Sequence, residues 1–221
     1  MAACCDLHIH SCLSPCADDD MTPWNLVGMA RVKGLDVIAL TDHNTARNTP
    51  EAMAAGEAYG VQVIPGMEIT SREEVHILGY FSSVPEALAA GEAVYAHLPQ
   101  VQNQIIIGAD DSPSGTLEKL LINATDLSVE EVCALVRAFG GVPVPAHINR
   151  GSNGMIGALG LMPFLPDYPV VEVYPGVPCP DAHRLEDIQE RTFSLDTHPT
   201  ARDVMRLLRA LDGRQIPQNG I

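Results

Sequence analysis

Gly34 to Pro65, GLDVIALTDHNTARNTPEAMAAGEAYGVQVIP, is the stretch whose pattern decides the fold. Leu35 to Thr41 (LDVIALT) is an apolar run of strand length, closed by a polar loop from Asp42 to Asn48. Pro50 to about Tyr59 then reads as a helix that stops at Gly60, and Val61 to Pro65 as the next strand. Upstream, Cys4 to His10 reads as a short buried strand, and Thr22 caps a helix that has Pro23 at its first position and ends at Gly34. Strand, helix, strand, helix with short Gly-punctuated joints predicts parallel strands joined by right-handed crossovers.

Further along, Glu74 to Phe81 reads as a fourth strand and Pro85 to Leu98 as a helix. Residues Gln104 to Leu121 break the pattern: the segment is polar, carries Gly108, Asp110, Asp111, Pro113 and Gly115, and looks like a hairpin or flap inserted over the main body. It is read equally as a lid over a substrate or a plain surface excursion. Ser128 opens a helix (SVEEVCALVRAF) with Glu131 three residues on, a capping-box spacing. Val142 to Ala146 and Val170 to Val173 read as strands, Thr192 to Asp196 as a closing strand, and Thr200 to Leu211 as a final amphipathic helix before a frayed tail. The expectation is one α/β domain over residues 1–221, either a (β/α) barrel or an open doubly wound sheet. In both, functional side chains gather at the C-terminal ends of the strands.

Those ends carry a run of histidines and carboxylates. His8 and His10 close the first strand, and the period of two points both to one face. Asp42 and His43 follow the second strand, Glu68 follows the third, His76 lies in the fourth, and His147 ends Val-Pro-Val-Pro-Ala-His. Asp181 and His183 form a second D-x-H pair. Imidazole nitrogen with carboxylate oxygen is the ligand set of zinc, manganese or iron, and a carboxylate can bridge two ions. Two or three such ions would activate water and clamp a phosphoryl group. By contrast His97, near a helix end with no ionic company, reads as structural.

Composition narrows the classes. The hydrophobic fraction of 46% with 19% charged residues is that of a folded globular chain, and aromatics at 5% leave the core to aliphatic side chains. A net charge of −15 repels long polyanions and argues against general duplex nucleic-acid binding, yet leaves a small phosphorylated substrate open. The N-terminus shows no secretion signal, no apolar run reaches membrane-spanning length, and the six cysteines suit reduced thiols, so a cytoplasmic location is expected. Nothing speaks to the oligomeric state.

The motifs DLHIHS (6–11), LTDHNT (40–45), GMEIT (66–70), EVHILGYF (74–81), PAH (145–147) and DAH (181–183) resemble, in order, the PHP (polymerase and histidinol phosphatase) superfamily, most closely its small stand-alone phosphoesterases. The resemblance implies a distorted seven-stranded (β/α) barrel and a trinuclear metal site. It would place His8, His10, Glu68 and Asp181 on a first ion and Asp18, His43 and His183 on a second. Glu68 would bridge to a third ion held with His76 and His147. It also implies a basic residue near the phosphate, for which Arg150 is the candidate; Asp42 would orient an imidazole rather than bind metal.

Three departures from the family pattern stand out. The loop after the H-x-H is long, so Asp18, Asp19 and Asp20 compete for one ligand role, and spacing back from Thr22 favours Asp18. Only a short Pro-rich piece, YPGVPCP (174–180), precedes Asp181, so the barrel is expected to be shortened there. Asp196 and His198 form another D-x-H but sit where a closing strand gives way to the last helix. Cys12 and Cys16 flank the long loop and are read as loop packing, since no second Cys or His pair lies nearby to make a zinc knuckle. The expected activity is metal-dependent hydrolysis of a small phosphomonoester or phosphodiester. Histidinol-phosphate phosphatase is the enzyme alternative, and a non-catalytic metal-binding scaffold or polymerase-associated module the alternative of another class. An amidohydrolase would need a bridging lysine, which the early strand ends do not offer.

Overall fold

The computed structural model describes residues 2–101, 103–107, 113–163, 168, 170–173, 181–190 and 193–212. Strand β1 (Ala3–Ile9) leads through a long loop to helix α1 (Pro23–Val32), β2 (Val37–Leu40), α2 (Thr49–Tyr59), β3 (Gln62–Thr70) and β4 (His76–Tyr80). After α3 (Val84–Ala96) come β5 (Gln104–Ile107) and β6 (Pro113–Leu117), which pair antiparallel with each other, outside the main sheet. Helix α4 (Val129–Ala138), β7 (Val142–Pro145), α5 (Met155–Leu159), β8 (Ser194–Leu195) and α6 (Ala201–Asp212) complete the order.

Local chemistry sets these boundaries. Thr22 Oγ1 accepts the Asn25 N–H at the start of α1, with Pro23 at the position where a missing N–H costs nothing. Helix α2 stops at Gly60, whose φ of 72° a side chain would resist. Ser128 and Glu131 exchange both bonds of a capping box before α4.

The main sheet has six strands among the described residues, in the order β7-β4-β3-β2-β1-β8, and is mixed and curled. Strands β1, β2 and β3 run parallel through α1 and α2, as the sequence pattern predicts. The rest does not follow the all-parallel expectation: β4 is antiparallel to both β3 and β7, and β8 is antiparallel to β1. The reason is the short link of residues 71–75, where Ser71 N–H bonds to Val75 O and Glu74 N–H to Ser71 O; so tight a turn can only return the chain antiparallel. That pairing also carries β3 to Thr70, so Glu68 sits inside a strand opposite Leu78 instead of in the loop after it. Val170 to Val173 forms no regular strand. Glu172 does exchange bonds with Pro145 O and the Ile148 N–H, but His147, at φ 28°, puts an extra residue between those contacts and spoils the ladder.

The two faces of the sheet bury different layers. Ala52, Ala55, Leu26, Val27 and Ala30 from α1 and α2 pack on Ile38 and Leu40, and α3 with α4 packs on Met67, Ile69 and Ile77. The opposite, inner face carries Cys5, Val37, Ala39, Ile64, Leu78 and Val144, and Val204, Met205 and Leu208 of α6 join that layer. The YPGVPCP segment, the frayed tail and part of the 104–121 insert lie outside the described residues. Among the described residues no helix is long and apolar enough to cross a membrane.

Candidate metal centre

A bulge aims the first two histidines. Asp6 pairs with Ile38 and Ile9 with Leu40, so β1 spends three steps where β2 spends two. That extra residue switches the face on which β1 alternates, bringing Ile9 to the outer layer with Leu40 and leaving His8 and His10 for the inner face. Glu68 and His76 reach the same face because they continue the period of Ile64 and Leu78. Two further residues enter through left-handed backbone, His147 at φ 28° and Asp181 at φ 91°. The Asp181 and Ala182 N–H groups both donate to His8 O, which ties the late D-x-H to the end of β1.

The result is one buried carboxylate ringed by imidazoles. Glu68, 0% exposed, lies 2.8 Å from His76 Nδ1, 3.2 Å from His43 Nδ1, His10 Nε2 and His147 Nε2, and 3.3 Å from His8 Nε2. Asp181 Oδ1 is 3.1 Å from His10 Nε2, 3.4 Å from His8 Nε2 and 3.5 Å from His183 Nδ1. His183 stacks on His10 with ring centroids 4.4 Å apart.

Hydrogen bonds behind the rings determine which nitrogen carries the proton. His8 Nδ1 faces both Glu172 oxygens, at 3.0 and 3.2 Å, so it is the donor and Nε2 is bare. Ser14 Oγ gives its one proton to Asp42 Oδ1, so it accepts from His10 Nδ1 at 2.9 Å, which leaves Nε2 turned inward for a second proton or a metal ion. His183 Nδ1 donates to the Asp181 carbonyl at 3.0 Å. His8 Nε2 and His10 Nε2 therefore turn lone pairs toward each other across 3.2 Å, an arrangement that repels unless a cation or proton lies between. Metal–nitrogen bonds of about 2.1 Å in a tetrahedron separate ligand atoms by about 3.4 Å, close to the separations seen here. Several buried atoms of the same set, His43 Nδ1, Glu68 Oε2, His147 Nδ1 and Asp181 Oδ1, have no hydrogen-bond partner among the described residues. The donor set is compatible with divalent metal ions.

Electrostatics agree. Burial alone would raise Glu68, but His76, His8 and His43 outweigh it and hold the carboxyl well below the usual range. Burial opposes a charged His10, yet Asp181 and Glu68 lift it to about 9. His8 is likewise raised, against burial, by Glu172, Glu68 and Asp181, whereas burial drives His43 well down. The pocket thus demands positive charge at its centre.

Of the sequence-predicted residues, His8, His10, His43, Glu68, His76, His147, Asp181 and His183 come together. Asp18 does not. Its carboxylate is 55% exposed and 3.6 Å from Arg184, while Asp19 and Asp20 are exposed too. The backbone explains this: the Asp18 N–H donates to His183 O and its carbonyl accepts from Met21 N, so the main chain faces the site and the side chain turns out. Cys16, expected to be loop packing, instead groups with His10, His43 and His183; the residue is exposed, yet the protein packed around its sulfur and the nearby Glu68 push its thiol up to about 12. Arg150 stands at the rim, 43% exposed, donating to Asp181 Oδ2 at 2.6 Å. Asp42 supports His10 through Ser14, and accepts from Ser11 N and Oγ, both at 2.7 Å. His97 is apart from the cluster, though it has the ionic partner the sequence did not suggest, Asp126 at 2.7 Å. Asp196 and His198 follow β8, which pairs with the opposite end of β1 at Ala3 and Cys4.

Sequence reasoning missed Ser14 and Glu172. A carboxylate inside Val-Val-Glu-Val was the available signal for the second.

The sequence pattern of the PHP domain matches residues 6–138. The chain belongs to the PHP domain family. It is 34% identical over 99 residues to an uncharacterized protein of Methanocaldococcus jannaschii, covering 40% of this chain and 57% of that protein. It is 37% identical over 90 residues to a 3′,5′-nucleoside bisphosphate phosphatase of Chromobacterium violaceum, covering 39% of this chain and 30% of the relative. The chain thus matches little more than half of the first relative's length and under a third of the second's. A lesion-specific endonuclease from Pyrococcus furiosus superposes with a TM-score of 0.66 at 16% identity, over 97% of this chain and 57% of that one, a likeness of fold.

Proposed function

We propose that this PHP domain is a metal-dependent phosphoesterase that hydrolyses a small phosphorylated substrate of nucleotide-like size. The observation that carries the reading is the inward-facing lone pairs of His8 and His10 beside Glu68 and Asp181, each ring fixed from behind by Glu172 or Ser14. Membership of the PHP family and the phosphatase among the relatives support it. In this reading His8, His10, Glu68 and Asp181 hold one ion, and His43 and His183 contribute to a second. Glu68, His76 and His147 would hold a third. Zinc, manganese or iron suit these donors.

Ions bound there would supply Lewis acidity toward a phosphoryl oxygen and lower the pKa of water toward neutrality. The chain's own residues position and neutralise. Arg150 spends one N–H on Asp181 and keeps the others at the exposed rim, where a guanidinium takes a phosphate oxygen in a planar fork. Asp42 holds Ser14, and through it His10, in one orientation. The β5–β6 pair is read as a cover for the substrate.

The test is turnover with Mn²⁺ or Zn²⁺ on nucleoside 3′,5′-bisphosphates, cyclic phosphodiesters, histidinol phosphate and a short oligonucleotide. Hydrolysis of a small ester that stops with chelator and returns with metal is the expected result. Full metal occupancy with no turnover of any ester would overturn the enzymatic reading in favour of a scaffold. Histidinol phosphate as the preferred ester would redirect the substrate assignment.

A further inference from the structure

Cys16 lies where a further donor is needed. Its Sγ and one ligand atom each from His10, His43 and His183 all fall within 4.8 Å of one another. In that group the His10 Nε2 is already engaged with Glu68 and Asp181, and His183 has committed Nδ1 to a carbonyl. His43 is 3% exposed, and its Nδ1, 3.2 Å from Glu68 Oε2, makes no hydrogen bond among the described residues. Two imidazoles with available nitrogens do not make a closed metal site, and the three aspartates of the preceding loop all face solvent.

The loop itself is built to present the thiol. Ser14 N–H bonds to Ser11 O and Ala17 N–H to Ser14 O, one turn after another, while Cys12 N–H reaches across to Met21 O. Leu13 and Met21 are buried at the two ends of this fold-back. With both ends anchored, Cys16, although exposed at the mouth, keeps its Sγ within ligand distance of the imidazoles, whereas Asp18 is drawn to Arg184.

We propose that the Cys16 thiolate, with His43 and His183, holds the second metal ion, so that this position is a mixed sulfur–nitrogen site selecting zinc or another thiophilic ion over magnesium or calcium. The inference rests on the reading of the cluster as a metal centre. A thiolate is a soft ligand and favours exactly those ions that hard oxygen donors hold less selectively. On binding, the thiol proton leaves to solvent and the Sγ lone pair forms the metal bond; no oxidation or reduction is involved. Cys5 and Cys133 are buried away from the cluster, and no disulfide joins the described cysteines.

Cobalt(II) distinguishes the possibilities because a thiolate–cobalt bond gives a near-ultraviolet charge-transfer band, whereas imidazole and carboxylate give only the weaker visible bands. Metal-depleted full-length protein titrated with Co²⁺ is expected to show the charge-transfer band. Cys16→Ser should lose it, keep the visible bands, and bind one ion fewer per chain by elemental analysis. Asp18→Asn should match the unmodified protein in both. Cys16→Asp should recover the lost ion without the band and shift its preference from Zn²⁺ toward Mn²⁺. Persistence of the band in Cys16→Ser, or loss of an ion in Asp18→Asn, would overturn the assignment while leaving the metal centre standing. Failure of the unmodified protein to take up any cobalt would overturn the metal-centre reading itself.

Discussion

Removing the Glu172 carboxylate should weaken metal binding although Glu172 is not itself among the proposed ligands. Its oxygens stand 3.0 and 3.2 Å from His8 Nδ1, and Oε2 also accepts the His147 backbone N–H at 2.9 Å, so one side chain steadies the His8 imidazole and the backbone that carries His147. Hydrogen bonds to a charged group contribute about 1.5–3 kcal/mol, and about 1.4 kcal/mol is a factor of ten in affinity. The carboxylate is 14% exposed, so solvent takes little of that away. Glu172→Ala should therefore cost roughly 100-fold in the affinity of the ion at His8, in line with the 10- to 100-fold usual for such supporting groups. Glu172→Gln keeps one acceptor for two donors and should cost roughly tenfold. Competition against a chromophoric chelator reads both numbers, and circular dichroism checks that the fold is intact. If Glu172→Ala binds every ion within about twofold of the unmodified protein while His8→Ala loses one, the tautomer argument is wrong.

Ser14→Ala removes the acceptor for His10 Nδ1 and for the His43 N–H; metal affinity should fall roughly 10- to 100-fold with little change in melting temperature, and an unchanged affinity would remove Ser14 from the site. Metal uptake must displace the proton that Asp181 and Glu68 hold on His10 up to about pH 9. Uptake should therefore release protons below that pH, and affinity should rise as pH approaches it from 7. The sign follows because the metal-free form binds the extra proton and the metal-bound form does not. Calorimetry in two buffers of different ionisation enthalpy measures the release, and none at pH 7 would contradict the geometry. Leu78, fully buried and paired opposite Glu68, belongs to the apolar floor of the site; Leu78→Ala should destabilise the fold by about 2–5 kcal/mol in urea unfolding, and a loss under about 1 kcal/mol would show that the layer is loosely packed.

The sequence made the parallel β1–β2–β3 unit readable because its signals are local: caps, prolines and glycines within a few residues of each boundary. It made most of the cluster readable because ligand-type side chains stood at the ends of those strands. The misses share a different cause. The β1 bulge exists only relative to β2, the antiparallel turn of β4 only relative to β3, and Glu172 meets His8 across 164 positions. Asp18 was favoured by its spacing from Thr22, but three consecutive aspartates offer no periodicity to say which one turns inward. The backbone bond from Asp18 N–H to His183 O, made across the fold, turns that side chain out. Local chemistry placed the elements; long-range pairing chose which faces and which atoms meet.

That division bears on what reaches the site. The chain carries a net −15, while the proposed ions would reverse the field at the cluster, where Glu68, Asp181 and the Cys16 thiolate face them and Glu172 and Asp42 stand behind the imidazoles. A small phosphate ester entering the mouth near Arg150 is governed mainly by that inner field. A long polyanion must also lie along the acidic exterior, and repulsion there slows its encounter. Salt separates the two. Screening shortens the reach of surface charge from about 10 Å at 0.1 M to about 3 Å at 1 M, so kcat/KM for an oligonucleotide should rise with added salt. For a small ester acting through close contacts it should stay flat or fall slightly. The opposite pattern, oligonucleotide turnover falling steeply with salt, would mean that cations are released from the nucleic acid on binding. The acidic surface would then have to carry a basic track for a strand, and the small-substrate reading would give way to a nuclease.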